Sequence, residues 1–141
     1  MPTIEIETNL TDAAVKARVA KAVGLWLRRQ GVPTSHSIVK YRTLAPEDLF
    51  SGPFRFDRLP GRPSGSAFAL VTCRVADSRP EAFCAELATV ISRELSSAVD
   101  PELLFVDFDL VDPDRHYAAS ELVTTDEEVD ACTTGPRSKS A

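Results

Sequence analysis

Pro2 is the residue whose type and position could do the most distinctive chemistry in this chain. Removal of Met1 is expected when the second residue is small, and it would leave Pro2 with a secondary amine on a rigid ring. The alternation that follows places Ile4 and Ile6 on one face and polar residues on the other, which predicts a strand that holds this ring in place. A Met-Pro start is also common in proteins that never use the amine, so the surrounding elements must decide between the two interpretations.

A secondary amine of this kind suits proton transfer near neutral pH. An α-amino group has a reference pKa of about 7.7–8.0, and an apolar pocket or a nearby cation lowers the pKa by disfavouring the charged form. The neutral amine can then take a proton beside a carbonyl and return it at another atom. The protonated amine can instead act as an acid or polarise a carbonyl.

The composition describes one globular domain and argues against several classes of function. The chain has 141 residues, of which 43% are hydrophobic and 26% charged, values typical of globular proteins. Its net charge of −5 argues against nucleic-acid binding, which depends on clustered Lys and Arg. No apolar run is long enough to span a membrane, and the amino-terminal segment lacks the layout of a signal peptide. We therefore expect a cytoplasmic protein with neither a nucleic-acid nor a membrane partner.

The residues that could bind a metal are few and scattered. Cys73, Cys84 and Cys132 show no CxxC spacing, and His36 and His116 are far apart in the sequence. We expect reduced, mostly structural thiols and neither a metal nor another cofactor.

Two amphipathic helices separate the predicted strands. The first is expected to begin at the N-cap Thr11 and to end at Gly31, and the second to begin with a capping box formed by Ser78 and Glu81. Apolar side chains recur in each at spacings of three and four residues. These are Val15, Val19, Ala22, Val23 and Trp26 in the first helix and Phe83, Leu87, Val90, Ile91 and Leu95 in the second.

The order strand–helix–strand occurs twice with the same internal spacing. Further strands are predicted over 37–44, 66–76 and 103–111. A distance of 36 residues separates Ile4 from Lys40 (40 − 4) and also Leu70 from Val106 (106 − 70). Each connection is long enough for a parallel crossover. We therefore predict an α+β fold in which two βαβ units form a four-stranded sheet with two helices on one face.

The same pattern gives the expected domain organisation. Residues 1–123 form one domain, with the first βαβ unit over 2–44, a long inter-repeat loop over 45–65 and the second unit over 66–112. Residues 124–141 form a polar, disordered tail. The third strand is apolar on both faces, and the loop carries several phenylalanines. An apolar sheet face that the helices leave uncovered predicts self-association into a homo-oligomer.

Several stretches resemble the tautomerase superfamily, over about residues 2–120. They are Met1-Pro2-Thr3-Ile4-Glu5-Ile6, then Leu44-Ala45-Pro46-Glu47-Asp48-Leu49-Phe50-Ser51-Gly52, and Leu104-Phe105-Val106-Asp107-Phe108. The chain is similar to the longer members, which include macrophage migration inhibitory factor, 5-carboxymethyl-2-hydroxymuconate isomerase, malonate semialdehyde decarboxylase and cis-3-chloroacrylic acid dehalogenase. The resemblance implies a homotrimer with the amino-terminal proline in a pocket at a subunit interface, and a small carboxylate as the substrate.

A carboxylate substrate needs cations, and four basic residues stand at predicted strand ends and helix starts. Lys40 and Arg42 lie on the second strand, Arg74 closes the third, and Arg79 opens the second helix, where the helix dipole adds positive potential. The stretch 73–79 resembles the place where the decarboxylase and dehalogenase branches carry paired arginines, although those arginines are closer together. Each of the four could equally be a solvated surface charge.

Asp107 is the second candidate catalytic residue, and it departs from the family's patterns. The resemblance places Asp107 where the inhibitory factor has Asn and the dehalogenase has Tyr, and it places Phe105 where the inhibitory factor has its active-site Tyr. A carboxylate near the amine could keep Pro2 protonated or orient a water molecule. An Asp on a solvent-facing strand would do neither.

The sequence leaves three functions open. The first is a tautomerase or isomerase that uses Pro2 as a general base on a small keto, enol or unsaturated carboxylate. The second is a decarboxylase or hydratase-dehalogenase on the same fold, in which Asp107 activates water. The third is a non-catalytic ferredoxin-like ligand-binding module, because the same order of strands and helices also describes that class.

Overall fold

The structure is a computed structural model that describes residues 2–123 of the 141-residue chain. One compact unit extends up to Val111, and a second begins at Asp112. In the second unit, Pro113–Arg115 form a 3-10 turn and residues 119–123 are helical. The tail predicted over 124–141, with Cys132, lies outside the described residues, as does Met1.

The first unit contains one main sheet and two helices. In chain order its elements are β1 (Thr3–Thr8), α1 (Ala13–Arg29), β2 (Ile38–Thr43), β3 (Phe50–Ser51), β4 (Phe54–Arg55), β5 (Ala69–Ala76), α2 (Glu81–Leu95) and β6 (Leu104–Val111). The sheet has the order β2-β1-β5-β6, and β3 and β4 form a separate hairpin. β1 and β2 pair in parallel, as do β5 and β6, whereas β1 and β5 are antiparallel. The predicted α+β fold with two βαβ units is confirmed.

This strand order also excludes one alternative architecture. In each unit the two parallel strands are direct neighbours. Ferredoxin-like domains have a split βαβ arrangement, in which another strand lies between them. The ferredoxin-like alternative is therefore wrong for this fold.

Both βαβ units pair their strands at the same offset. Ile4 lies opposite Val39, and Val71 lies opposite Val106, an offset of 35 residues in each unit (39 − 4 and 106 − 71). The predicted equality of the two spacings is confirmed. Residues directly opposite each other are thus 35 rather than 36 positions apart, so the apolar side chains of neighbouring strands share the face that the helices cover.

The core lies between the main sheet and the two helices. Helix α2 buries all five residues of its predicted stripe. Helix α1 buries Val19, Val23 and Leu27, and Trp26 is only half-buried. The largest fully buried apolar side chains come from both central strands, both helices and the residue before β5: Phe68, Ile4, Ile6, Leu27, Leu87, Ile91, Leu95, Val19, Val23, Val71 and Val75. Both helices therefore cover one face of the sheet, as predicted.

The predicted cap of α1 is wrong by one residue. Asp12 rather than Thr11 is the N-cap, and its Oδ1 accepts hydrogen bonds from the backbone N–H groups of Ala14 and Val15 at 2.9 and 3.3 Å. A carboxylate also interacts favourably with the positive end of the helix dipole.

The predicted capping box of α2 is also wrong. Pro80 is the N-cap, and no side chain caps this end of the helix. The backbone N–H of Arg79 donates to the Ala76 carbonyl at 3.0 Å, which makes 76–79 a tight turn. Ser78 therefore lies in the turn, outside the helix, and cannot pair with Glu81.

The inter-repeat segment has structure of its own. It contains 3-10 turns at Pro46–Asp48 and Phe56–Arg58 as well as the β3–β4 hairpin. Asp57 is buried, and its two carboxylate oxygens accept hydrogen bonds from the Arg55 guanidinium, each at 3.2 Å. This buried pair holds the second turn together.

The same segment is attached to β6 and to the residues just before β5 and β6. Arg62 forms ion pairs with Asp100 and Glu102. The Phe56 ring packs against Phe68 and Phe105, with centroid distances of 5.4 and 6.2 Å. The hairpin rings Phe50 and Phe54 remain 57% and 46% exposed, so contact of these two rings with a neighbouring subunit stays a prediction.

The open face of the sheet, opposite the helices, is less apolar than predicted. On β1 it carries Thr3, Glu5 and Glu7, and on β5 the residues opposite them are Arg74, Thr72 and Leu70. The covered face of β5 takes Val71, Cys73 and Val75, all buried. The prediction that β5 is apolar on both faces therefore holds for Leu70 but is wrong for Thr72 and Arg74.

Two further properties can be stated for residues 2–123. No helix there combines the length and the apolar character that crossing a bilayer requires. Those residues also contain no group of three or more His, Cys, Asp or Glu side chains positioned to hold a metal ion.

Candidate active site

Pro2 is buried directly before β1, at one end of the sheet. The backbone N–H of Ile38 donates to the Pro2 carbonyl at 3.4 Å, which extends the β1–β2 pairing by one residue. Because β1 is an internal strand, the start of β2 lies on one side of Pro2 and the end of β5 on the other. We call this edge the Pro2 end of the sheet, and it comprises Pro2, Ile38, Ala76 and Val111.

Lys40 and Arg42 lie on the open face and share one carboxylate. Lys40 Nζ is 3.6 Å and Arg42 Nη1 is 3.4 Å from the Glu5 carboxylate. The strand register explains this, since Lys40 is directly opposite Glu5 and Arg42 is on the same face two residues later. Arg42 is four residues along β2 from Ile38, or about 13 Å from the Pro2 end. These two cations are therefore committed to Glu5, and Arg42 is also remote from Pro2.

Arg74 lies on the open face opposite Thr3, the residue after Pro2. Its Nε is 3.4 Å from the Asp109 carboxylate, and both side chains are largely exposed. A small pocket of about 80 Å³ beside it is lined by Thr3, Glu5, Thr72 and Arg74. Arg74 is thus close to the Pro2 end, but its charge is already paired.

Arg79 lies in the turn that follows β5 at the Pro2 end. Its guanidinium carbon is 4.7 Å from the centroid of the Phe83 ring, and the residue is half-buried. Within residues 2–123 it forms no ion pair. Next to it, the start of α2 has no side-chain cap, so its free N–H groups add positive potential. Arg79 is therefore the candidate cation whose charge no carboxylate of the described chain neutralises.

Asp107 is exposed on the open face of β6, directly opposite Thr72. It forms no ion pair with any residue from 2 to 123. β5 lies between β6 and β1, so Asp107 is about 10 Å or more from β1. The structure of one chain therefore does not bring Asp107 to Pro2.

The cysteines in this part of the chain are unpaired. Burial, with a smaller contribution from Cys84, raises the pKa of the Cys73 thiol to about 12. Since the thiolate is the nucleophile, Cys73 is a structural side chain of the core. Burial also raises the pKa of Tyr41, whose hydroxyl donates to the Lys16 carbonyl at 3.0 Å.

Three partners of the candidate cations were not predicted: Glu5, Asp109 and Phe83. The carboxylate partners depend on the strand register, which the repeat spacing does not give. The Phe83 contact had a weaker signal, because Arg79 comes directly before the N-cap of α2 and Phe83 is in the first turn, where residues preceding a helix can pack against it.

The Pro2 end combines a buried proline with a half-buried guanidinium that forms no ion pair within residues 2–123. A half-buried guanidinium binds a carboxylate through charge-assisted hydrogen bonds. Two candidates, Pro2 and Arg79, are thus at one end of the sheet, with Arg74 nearby on the open face. Lys40, Arg42 and Asp107 are not brought to the same place within one chain.

No family model matches the chain, and no curated protein matches it in sequence. Its similarity to known proteins is structural. It is similar to the symmetric trimer of wild-type Q0 fused 4-OT, with 18% identity and a TM-score of 0.62 over 84% of this chain and 90% of the other. It is also similar to Leishmania major MIF2, with 16% identity and a TM-score of 0.59 over 79% and 89% of the two chains.

A third similar structure is the FG41 malonate semialdehyde decarboxylase inhibited by 3-bromopropiolate. It shares 16% identity and a TM-score of 0.57 over 88% of this chain and 96% of the other. These are tautomerase-superfamily structures, and this chain has their fold. The resemblance noted in the sequence is thereby confirmed for the fold.

Proposed function

We propose that this protein is a tautomerase or isomerase in which Pro2, freed by removal of Met1, moves a proton on a small keto, enol or unsaturated carboxylate. The observation that carries the proposal is the position of Pro2. It is buried at the start of an internal strand, at the same end of the sheet as Arg79. The structural neighbours are mostly enzymes of the tautomerase superfamily, which supports an enzymatic role.

The proposed reaction is a proton shift by the Pro2 amine. An apolar environment favours the neutral form of an amine, which can take a proton from a carbon next to a carbonyl. The resulting ammonium group then returns the proton to a different carbon or to oxygen. A base whose pKa is near the working pH is suited to both steps.

The cations have different proposed roles. Arg79 binds the substrate carboxylate, because its charge is not neutralised within residues 2–123 and the start of α2 adds positive potential. Arg74 is a second substrate-binding residue that must first exchange Asp109 for the ligand. Lys40 and Arg42 contribute only to the potential of the open face, since Glu5 is already bound to both.

A homotrimer is the proposed assembly. One similar structure is a symmetric trimer, and exposed rings at Phe50, Phe54 and Phe105 offer apolar contact area. In such an assembly a neighbouring subunit could bring its Asp107 to Pro2, which one chain alone does not do. Sedimentation velocity should show a trimer at micromolar concentration, and a monomer alone would contradict this assembly.

Decarboxylation or hydration is the second candidate function. Asp107 has no ion-pair partner within residues 2–123, and one similar structure is a decarboxylase. If Asp107 activates water, Asp107→Asn should abolish turnover of a β-keto acid or an acetylenecarboxylate. The same variant should leave tautomerisation of phenylenolpyruvate within about threefold of wild type, because Pro2 alone serves that reaction.

The direct test combines intact-protein mass with one substitution. The mass should show loss of Met1, and the protein should convert phenylenolpyruvate or 2-hydroxymuconate. Pro2→Ala replaces the rigid ring amine with a flexible primary amine and should reduce kcat about 10²-fold, the lower end of the usual contribution of a general base, while Pro60→Ala, at an exposed proline in the inter-repeat segment, serves as the control. Retention of Met1, or equal activity of the Pro2→Ala and wild-type proteins, would refute the proposal.

A further inference from the structure

The Arg79 guanidinium is held by an aromatic ring rather than by a carboxylate. Its carbon lies 4.7 Å from the Phe83 centroid, within the distance of about 6 Å at which a cation is attracted to a ring face. A guanidinium that lies on a ring keeps the N–H donors in its own plane available, and these can bind a carboxylate through two parallel hydrogen bonds.

The backbone around Arg79 is fixed at both sides. Its N–H donates to the Ala76 carbonyl at 3.0 Å, and the Asp77 N–H donates to the Val111 carbonyl at 2.9 Å. Pro80 follows directly as the N-cap of α2, and its ring restricts the backbone there. The Cα of Arg79 is thus placed by two strand ends and a proline, so the remaining freedom lies in its side chain.

Phe83 is itself immobilised by the core. Its side chain is almost completely buried, and its ring packs against Trp26 with a centroid distance of 5.1 Å and an interplanar angle of 49°. Trp26 is on α1, so the two rings connect both helices. A long Arg side chain normally loses rotamer freedom when it binds a ligand, and a ring fixed in this way reduces that loss in advance.

We infer that Phe83, supported by Trp26, is a positioning residue that orients the Arg79 guanidinium for binding the carboxylate of a small organic acid. The inference rests on the proposed function for the identity of the ligand class. It adds that the affinity for the carboxylate depends on a ring that does not touch the substrate.

The test measures binding before turnover. Calorimetric titration with 3-phenylpropionate, a carboxylate that cannot tautomerise, should show binding to the wild-type protein, and 3-phenylpropionamide should not bind. Phe83→Leu removes the aromatic face and should weaken carboxylate binding about 10-fold. Phe83→Tyr keeps the ring and should bind within about twofold of wild type.

A double substitution separates positioning from a general structural effect. In an Arg79→Gln background, Phe83→Leu should cause no further loss of affinity, because the oriented group is already gone. A purely structural role of Phe83 would give the same loss in both backgrounds. Trp26 is the only tryptophan of the chain, so its fluorescence reports whether the packing around position 83 persists in each variant.

One further variant covers the case in which Phe83→Leu does not fold. Arg79→Lys keeps the charge at a half-buried position but has no planar group to lie on the ring. It should weaken 3-phenylpropionate binding about 10-fold and raise KM with kcat within about twofold. Wild-type affinity in Arg79→Lys, or in a folded Phe83→Leu, would overturn the inference.

Failure of the proposed function can be told apart from failure of this inference. Binding is also measured in the Pro2→Ala variant, which retains both Arg79 and Phe83. If the carboxylate binds with the expected variant pattern but no substrate is turned over, the Pro2 chemistry is wrong and the positioning role stands. If turnover depends on Pro2 but carboxylate binding is unchanged in Phe83→Leu, the Pro2 chemistry stands and the positioning role of Phe83 is wrong.

Discussion

Arg74 and Arg79 are five residues apart in the chain but lie in contrasting electrostatic surroundings. On the open face, the Arg74 side chain is 62% exposed and its Nε is 3.4 Å from the Asp109 carboxylate. Lys40 and Arg42 follow the same pattern with Glu5. In the turn before α2, Arg79 is half-buried over a ring and has no carboxylate partner within residues 2–123. A count of nearby cations therefore says little about anion affinity, because three of these four already pair with a carboxylate, two of them with the same one.

The largest expected effect tests the contrast between Arg74 and Arg79 directly. Arg79→Gln should lower kcat/KM for a carboxylate substrate about 10- to 100-fold, because a hydrogen bond to a charged group contributes about 1.5–3 kcal/mol. Arg74→Gln should cost only about threefold, because Arg74, the second proposed binding residue, has to give up its pair with Asp109, worth about 0–1 kcal/mol, before it binds the ligand. Equal losses in steady-state kinetics would show that the pair with Asp109 does not weaken the contribution of Arg74 and that the contrast is wrong.

A smaller effect is expected on the covered face of the sheet, where Cys73 should make the free energy of unfolding depend on pH. The thiol of Cys73 has its pKa raised to about 12 in the folded chain, against 9.0 for the unperturbed group. The stabilisation is complete below pH 9 and is lost as the pH rises toward 12, because the unfolded chain releases its proton first. Between pH 9 and 10 the free energy of unfolding should fall by about 1 kcal/mol more in wild type than in Cys73→Ala.

Urea denaturation at the two pH values measures this difference. Cys84→Ala is the control, and its unfolding free energy should keep most of the wild-type pH dependence, because Cys84 makes only the smaller contribution to the raised pKa of Cys73. If the free energy of unfolding changed equally with pH in wild type and Cys73→Ala, burial would not raise the pKa of the Cys73 thiol in the folded chain.

The smallest effect belongs to the open face. Glu5→Gln removes the carboxylate shared by Lys40 and Arg42, and it should change the free energy of unfolding by about 0.2–1 kcal/mol at low salt. At high salt the difference should shrink, because exposed charges are screened. Glu7→Gln, two residues along the same face of β1, is the control. A loss well above this range, in urea melts at both salt concentrations, would show that the Glu5 cluster is buried in an assembly.

Much of the fold could be predicted from local periodicity. Ile4 and Ile6 alternate with polar residues, and the stripe from Phe83 to Leu95 repeats at helical spacing, so strand, helix and buried face followed from short stretches alone. Equal spacing in the two halves was enough to predict the paired βαβ units. The helix caps were less predictable, because Thr11 and Asp12 are both suitable caps for α1 and the turn over 76–79 leaves Ser78 outside α2.

The candidate site was only partly predictable for a related reason. Arg74 and Arg79 could be chosen by residue type, but their partners lie on other strands or one helical turn away. The repeat spacing gives no strand register, and a shift of one residue moves every side chain of a strand to the other face, so the pairing of Lys40 with Glu5 could not be predicted. A contribution of Asp107 to Pro2 depends on contacts between chains, which the sequence of a single chain does not encode in any local pattern.

The common offset of both units has a consequence for binding stoichiometry. Thr3 and Ala69 each pair with the first residue of their partner strand, so a pseudo-twofold relation maps Pro2 onto Phe68. Phe68 is fully buried, and its backbone N–H donates to Asn9 Oδ1 at 2.9 Å. A polypeptide has one amino terminus, so in the second βαβ unit the place that corresponds to Pro2 is taken by Phe68, whose nitrogen is part of the backbone. Under the proposed function, a trimer would accordingly bind three substrate equivalents rather than six.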